Sequence, residues 1–124
     1  MTAKRYRTDV ALTVASGKML CDDFKSVHEL VTDLAGWPVM THHMGSERLM
    51  GAVAAKVVAQ VAWMPDAIEN MPTWPKDPEA ARAAIKAWLT RIVGSTEDTV
   101  ALDPGEPLPY MSPFDGWERL GTSR

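Results

Sequence analysis

The order of hydrophobic and polar positions changes several times along the chain. Near the N-terminus, Val10, Leu12 and Val14 alternate with smaller or polar residues, and a period of two is typical of a half-buried strand. Gly17 follows at a position that can adopt a positive φ, and β-prone residues resume after it. We therefore predict a β-hairpin over residues 8–21, and a helix must cover its apolar face because an isolated hairpin is marginally stable.

Three later segments place apolar residues at helical spacing. The first begins at Ser26, which starts a capping box, and ends at Gly36. The second begins at Ser46 as N-cap and carries a broad apolar stripe, so we expect it to be central to the core. The third begins at Asp77, with proline as its first helical residue, and ends near Gly94. Its apolar residues are Ala81, Ala84, Ile85, Trp88, Leu89, Ile92 and Val93.

The composition changes after the third helix. From residue 95 onward there are four prolines, and six acidic residues against two arginines give a local charge of -4. Such a segment is either an extended arm packed on the domain or a flexible segment that orders on a partner. Its apolar residues recur often enough to favour the packed arm. They are Leu108, Tyr110, Phe114 and Trp117.

The predicted fold class is therefore α+β. An N-terminal β-hairpin packs on about three α-helices, and the extended proline-rich C-terminal arm can add a short strand through the run TVAL at residues 99–102. We divide the chain into a compact α+β domain, residues 1–94, and an acidic arm packed on the same domain, residues 95–124.

Composition narrows the classes of function. A chain of 124 residues is long enough to bury one core, and a net charge of -3 has the wrong sign for a protein that binds phosphate backbones. The single cysteine, Cys21, excludes an internal disulfide and fits a reducing compartment. The apolar-rich segment Leu49 to Met64 is too short to span a bilayer. We expect a protein of the bacterial cytoplasm, with no nucleic-acid or membrane partner and no cofactor.

Four side chains supply the strongest case for chemistry. His42 and His43 are adjacent, and either could form a site with His28 and Cys21. An imidazole near the thiol could activate it as a nucleophile. However, neighbouring residues on an extended segment point to opposite faces, and no pair of ligands has the helical spacing of catalytic zinc sites. A thiol at the end of an apolar strand also fits burial. We therefore predict no enzyme activity and no metal.

Contact-making side chains are more prominent. The chain has five tryptophans and eight methionines but two phenylalanines, and tryptophan is enriched at binding hot spots. Methionine adapts to irregular surfaces, although ordinary core packing is the competing interpretation. Trp88 lies on an apolar helical stripe and should be buried. The predicted protein-binding residues are Trp37, Met71, Trp74, Glu97, Asp98 and Trp117.

The first third of the chain resembles a family of short phage and prophage proteins of unassigned activity. The similar stretches are residues 8–10 (TDV), 16–21 (SGKMLC), 28–30 (HEL), 37–38 (WP) and 41–42 (TH). The resemblance implies an accessory protein of a mobile element, and small proteins of that origin include anti-CRISPR inhibitors, which cover a surface of the effector complex or its nuclease. It supplies no catalytic residues.

The function predicted from this resemblance is a stoichiometric protein-binding inhibitor, most plausibly an anti-CRISPR that blocks a type I CRISPR-Cas effector subunit or nuclease. Two alternatives remain open at this point. One is a small enzyme that uses Cys21 with His28 or His42. The other is a homo-oligomeric structural or regulatory phage protein. A homodimer is compatible with this alternative and with the inhibitor.

Overall fold

A computed structural model describes residues 3–111 of the chain. The α+β class is confirmed: two short strands accompany five α-helices and one 3-10 helix within these residues. In chain order the elements are β1 (Lys4–Arg7), α1 (Thr8–Ser16), α2 (Phe24–Ala35), the 3-10 helix (Thr41–Gly45), α3 (Glu47–Gln60), α4 (Met64–Glu69), α5 (Pro78–Ser95) and β2 (Thr99–Leu102).

The antiparallel strand pair joins the two ends of the described chain. β1 pairs with β2, so that Tyr6 lies opposite Val100. The hairpin predicted over residues 8–21 is wrong in its position, because residues 8–16 form α1 and Gly17 is the left-handed C-cap of that helix, with φ of 73°. The strand predicted at residues 99–102 is confirmed as β2.

The helix α1 lies at the centre of the core. It packs against α2, α3 and α4, and its apolar residues are buried on all sides rather than along one stripe. Two buried threonines satisfy their hydroxyls internally: Thr8 donates to the carbonyl of Glu97 at 2.6 Å, and Thr13 donates to the carbonyl of Asp9 at 2.9 Å. These hydrogen bonds offset the cost of burying polar groups.

The helix boundaries follow from local capping chemistry. Ser46 and Asp77 are confirmed as N-caps, since their side chains accept from the N–H groups of the third helical residues. The predicted N-cap Ser26 is wrong by one turn, because Asp23 caps α2 and accepts from the Ser26 N–H. Gly36 ends α2 as predicted. The last helix, α5, continues through Gly94 and ends at Ser95.

The segment after β2 lies across the ends of α2 and α3. The ammonium of Lys56 donates to three backbone carbonyls, those of Leu34 at 2.8 Å, Glu106 at 2.7 Å and Pro104. Because the ammonium is partly desolvated there, the pKa of Lys56 is lowered. Gln60 forms two further hydrogen bonds with the backbone of Asp103. Side chains of α3 thus hold the segment in place.

A close approach between Gly36 and Pro107 completes this packing. A Cβ added to Gly36 would lie 2.7 Å from the Cβ of Pro107, so only glycine fits at this point. Next to it, the N–H of Leu108 donates to the carbonyl of Ala35 at 2.8 Å. Residues 103–111 therefore pack on the helices, while Phe114 and Trp117 lie outside the described residues.

Candidate protein-binding site

Two of the residues proposed for catalysis, Cys21 and His28, contact different partners in residues 3–111. The Sγ of Cys21 lies 3.5 Å from the hydroxyl oxygen of Thr13. The ring of His28 stacks on Phe24, and its Nε2 bonds the carbonyl of Val39. His42 is exposed on the 3-10 helix. No cluster of three metal-binding side chains is present in this described part of the chain.

Three aromatic rings and a methionine form the clearest candidate site. We define the aromatic face as Trp37, Met40, His43 and Tyr110. The centroids of the Trp37 and Tyr110 rings are 5.0 Å apart, and the His43 ring lies 5.1 Å from Trp37 and 5.7 Å from Tyr110. Tyr110 is 66% exposed and Met40 is 58% exposed, so both side chains are available to a partner.

His43 is the buried base of the aromatic face. Its Nδ1 accepts from the backbone N–H of Met40 at 2.8 Å, so Nδ1 carries no proton in this arrangement. The proton of the neutral ring is therefore on Nε2, which lies 3.4 Å from the hydroxyl of Tyr110 and donates to it. The 3-10 helix thus places one imidazole between the backbone N–H of Met40 and the hydroxyl of Tyr110.

The arm fixes the other side of the aromatic face. The indole Nε1 of Trp37 donates to the carbonyl of Leu108 at 3.0 Å, two residues before Tyr110. Met111, the residue after Tyr110, is buried in the core. Because these contacts hold both rings before any partner arrives, binding would lose little side-chain entropy. The face is a preorganised patch of residue types that are enriched at interfaces.

The predicted binding residues occupy different places in the structure. Trp37 lies in the aromatic face and is half-buried. Met71 is also half-buried and packs against the core. Trp74 is half-buried, and its ring packs edge-on against Trp88 with centroids 5.8 Å apart. Its Nε1 has no hydrogen-bond partner among the described residues. Trp88 is buried, as predicted.

Glu97 and Asp98 lie between the end of α5 and the start of β2. The carboxylate of Glu97 accepts from the indole of Trp63 at 3.4 Å and lies 3.5 Å from the guanidinium of Arg5. Asp98 is exposed, and its carbonyl accepts from the N–H of Thr8 at 2.9 Å. Trp117 lies outside the described residues. Among the described residues, no hydrogen bond, ion pair or ring contact joins Trp37, Trp74, Glu97 and Asp98.

Sequence reasoning missed two members of the aromatic face. Met40 and Tyr110 are exposed there, although Tyr110 was expected to serve only in packing the arm. No local signal identifies them, because Tyr110 reaches Trp37 and His43 only when the arm folds back over Gly36. The adjacent His42–His43 pair was a usable signal for the base of the face. In the structure His42 is exposed, and His43 is the buried member of the pair.

A concave groove lies between α5 and the α1–α2 loop. This open groove has a volume of about 1320 Å³ and is lined by both apolar and charged side chains. Among its lining residues, Arg7 of β1 pairs with Asp9 of α1 at 2.6 Å and with Asp23 of the α1–α2 loop at 3.2 Å. Hydrogen bonds from the side chain and backbone of Ser26, with the charge of Arg7, hold the pKa of Asp23 below its ordinary value.

The fold and the site define a small α+β protein with an exposed aromatic patch in the described chain. The chain belongs to the family defined by a domain of unknown function, DUF7736, whose model matches residues 6–67. No curated protein and no solved structure matches it significantly. The matched region contains three members of the aromatic face but not Tyr110, and it ends before α5.

None of the helices in residues 3–111 is long and apolar enough to cross a membrane.

Proposed function

We propose that the protein acts by binding another protein through the aromatic face, without catalysing a reaction. The observation that carries this proposal is the pairing of two well-exposed contact residues, Tyr110 and Met40, with a rigid aromatic base. Tyrosine and tryptophan supply large contact area with few rotatable bonds, so they bind at low entropic cost. The contacts of Cys21 and His28 with Thr13, Phe24 and Val39 support a non-catalytic role.

The geometry of the face also suits a protein rather than a small molecule. Tyr110 and Met40 project from the surface instead of lining an enclosed cavity. An exposed anchor of this kind inserts into a pocket of its partner, and neighbouring contacts then exclude water around it. A partner surface with an apolar pocket that accepts the Tyr110 ring, next to a hydrogen-bond acceptor for its hydroxyl, would be complementary.

In its finer form the proposal names a stoichiometric inhibitor encoded by a mobile element, whose partner is a host protein such as a subunit of a type I CRISPR-Cas effector complex or its nuclease. This part rests on the resemblance of the first third of the chain to short phage proteins. Expressing the protein in a host with an active type I system would relieve interference against a targeted plasmid. Intact interference, without binding to purified effector or nuclease, would remove the CRISPR-Cas partner from the proposal.

The coarser proposal has its own test. The protein is immobilised, a retained host protein is identified, and its affinity for purified variants is measured by calorimetry. Tyr110→Ala should weaken binding by about 2 kcal/mol, roughly thirtyfold, as expected for an interface anchor. Phe24→Ala is the matched control, because Phe24 is an exposed aromatic residue outside the aromatic face. Equal affinities for the two variants would contradict the proposal.

A further inference from the structure

The helix α5 has an apolar side that the described chain leaves incompletely covered. Of its 18 residues only Trp88 is buried, and Trp74 packs against that ring. Four other residues recur every fourth position and line the groove between α5 and the α1–α2 loop. They are Ala81, Ile85, Leu89 and Val93. A stripe of this kind normally lies against another element, because half-exposed apolar surface remains in contact with water.

The charges around the groove have both signs and are separated along α5. Arg82 and Lys86 lie on its N-terminal half, and Asp98 lies just beyond its C-terminus. Asp22 lies on the opposite wall. None of these four side chains takes part in an ion pair within residues 3–111, whereas Arg7 on the same groove is already paired with Asp9 and Asp23.

We propose that the groove binds a second copy of this chain, with the two α5 helices antiparallel about a two-fold axis next to Leu89. In that arrangement Ile85 of each copy faces Val93 of the other. The cationic N-terminal half of each helix then lies beside the acidic end of its partner, with Arg82 close to Asp98 across the interface. The same surface supplies both halves of the contact, as a two-fold interface requires.

The self-complementary charges of the groove favour a second copy of the chain over a uniformly charged partner. A partner of uniform charge would be attracted by one end of α5 and repelled by the other. A small molecule is a poor match in size, since the groove is open and its 1320 Å³ exceeds the roughly 300–1,000 Å³ of typical ligand pockets. The alanines on α5 permit close approach of a second helix. The interface is separate from the aromatic face, which remains available to a partner in each copy.

Sedimentation equilibrium on the full chain tests the proposal by charge exchange. The wild-type protein should be a dimer, and Arg82→Glu should raise the dimer Kd about tenfold or more by placing like charges together. Asp98→Arg should weaken the dimer similarly. The double variant, which exchanges the two charges, should recover most of the wild-type affinity. Arg91→Glu is the matched control, because Arg91 is exposed on the same helix but does not line the groove.

Circular dichroism on each variant shows whether the fold is intact, and the substituted side chains are exposed, so folding should survive. A wild-type protein that stays monomeric up to about 1 mM, the weak end of specific association, would overturn the proposal. Equal effects of Arg82→Glu and Arg91→Glu, or a double variant no better than either single one, would also overturn it. Capture of a host protein is unaffected by these outcomes, so the aromatic-face proposal is tested independently.

Discussion

Replacing Gly36 with alanine tests how the arm is held, and Gly17→Ala is its matched control. Both glycines are left-handed C-caps of helices, with φ of 82° and 73°. They differ in their surroundings. A Cβ at Gly36 meets Pro107 at 2.7 Å, whereas a Cβ at Gly17 meets nothing within 4 Å. The same substitution therefore adds backbone strain at both sites but a steric clash at only one.

The two costs can be estimated separately. An alanine in the left-handed region costs about 1 kcal/mol relative to glycine, so Gly17→Ala should lower the free energy of unfolding by about that amount. At Gly36 the arm must also retreat by about 0.7 Å to reach ordinary contact with the new methyl group, and overpacking of this kind costs roughly 1–3 kcal/mol more. Gly36→Ala should therefore cost about 2–4 kcal/mol.

Urea unfolding followed by circular dichroism measures the difference, and amide exchange at Leu108 locates it. The N–H of Leu108 donates to the carbonyl of Ala35, so displacement of the arm in Gly36→Ala should speed its exchange. The Gly17 variant should leave that amide protected. If both variants lose the same free energy and keep the same exchange rate at Leu108, the close contact between the arm and α2 is not a source of stability and the reasoning is refuted.

Three further substitutions test other parts of the structure. Lys56→Met removes the ammonium shared by three carbonyls and should cost about 2–4 kcal/mol in urea unfolding, with water compensating part of the loss. A decrease in the free energy of unfolding of less than about 0.5 kcal/mol would contradict the role of Lys56 in holding the segment after β2. Asp77→Ala removes the N-cap of α5 and should lower stability by about 1 kcal/mol, measurable by thermal unfolding, whereas Asp77→Asn should restore most of it. Cys21→Ala should leave partner affinity within about twofold, and loss of activity in a variant that still folds and binds its partner would support the enzyme alternative.

Local signals in the sequence predicted the elements that depend on local chemistry. The N-caps Ser46 and Asp77 and the terminating Gly36 each act within one helical turn, so their roles could be inferred without knowledge of the fold. The same holds for Trp88, whose position on an apolar stripe predicted its burial. These features required only periodicity and capping preferences.

The hairpin prediction failed because α1 is buried nearly all round. Its valines and threonines favour strands, and Val10, Leu12 and Val14 alternate with Ala11 and Thr13, which gives a period of two. In the fold those intervening residues are also buried, so no polar face marks the helix. Packing of α1 against three other helices overrides its weak helix propensity. A segment without a polar face provides no period by which to separate helix from strand.

The aromatic face shows a different limit of sequence reasoning. Trp37 was predicted as a binding residue, but its exposed neighbour Tyr110 is 73 positions away and reaches it only through the packed arm. That packing depends on a lysine of α3 and on the missing side chain of Gly36. Neither residue belongs to a recognisable binding pattern, so the surface could not be assembled from the sequence.

The pairing of β1 with β2 connects the family region to the later segments that contribute to the groove and to the aromatic face. It links Tyr6, within the matched family region, to Val100, which lies between α5 and the arm. The chain after residue 67 is thus held to the family region at two points. One is the junction at residue 67, and the other is the pairing of β2 with β1.

Hydrogen–deuterium exchange on the complex with a captured partner tests the central claim most directly. The account predicts that binding slows exchange at the amides of the 3-10 helix, residues 41–45, and of residues 108–111, while the amides of α5 are unchanged at constant protein concentration. Protection confined to α5 and the α1–α2 loop, with no change around Tyr110, would contradict binding through the aromatic face.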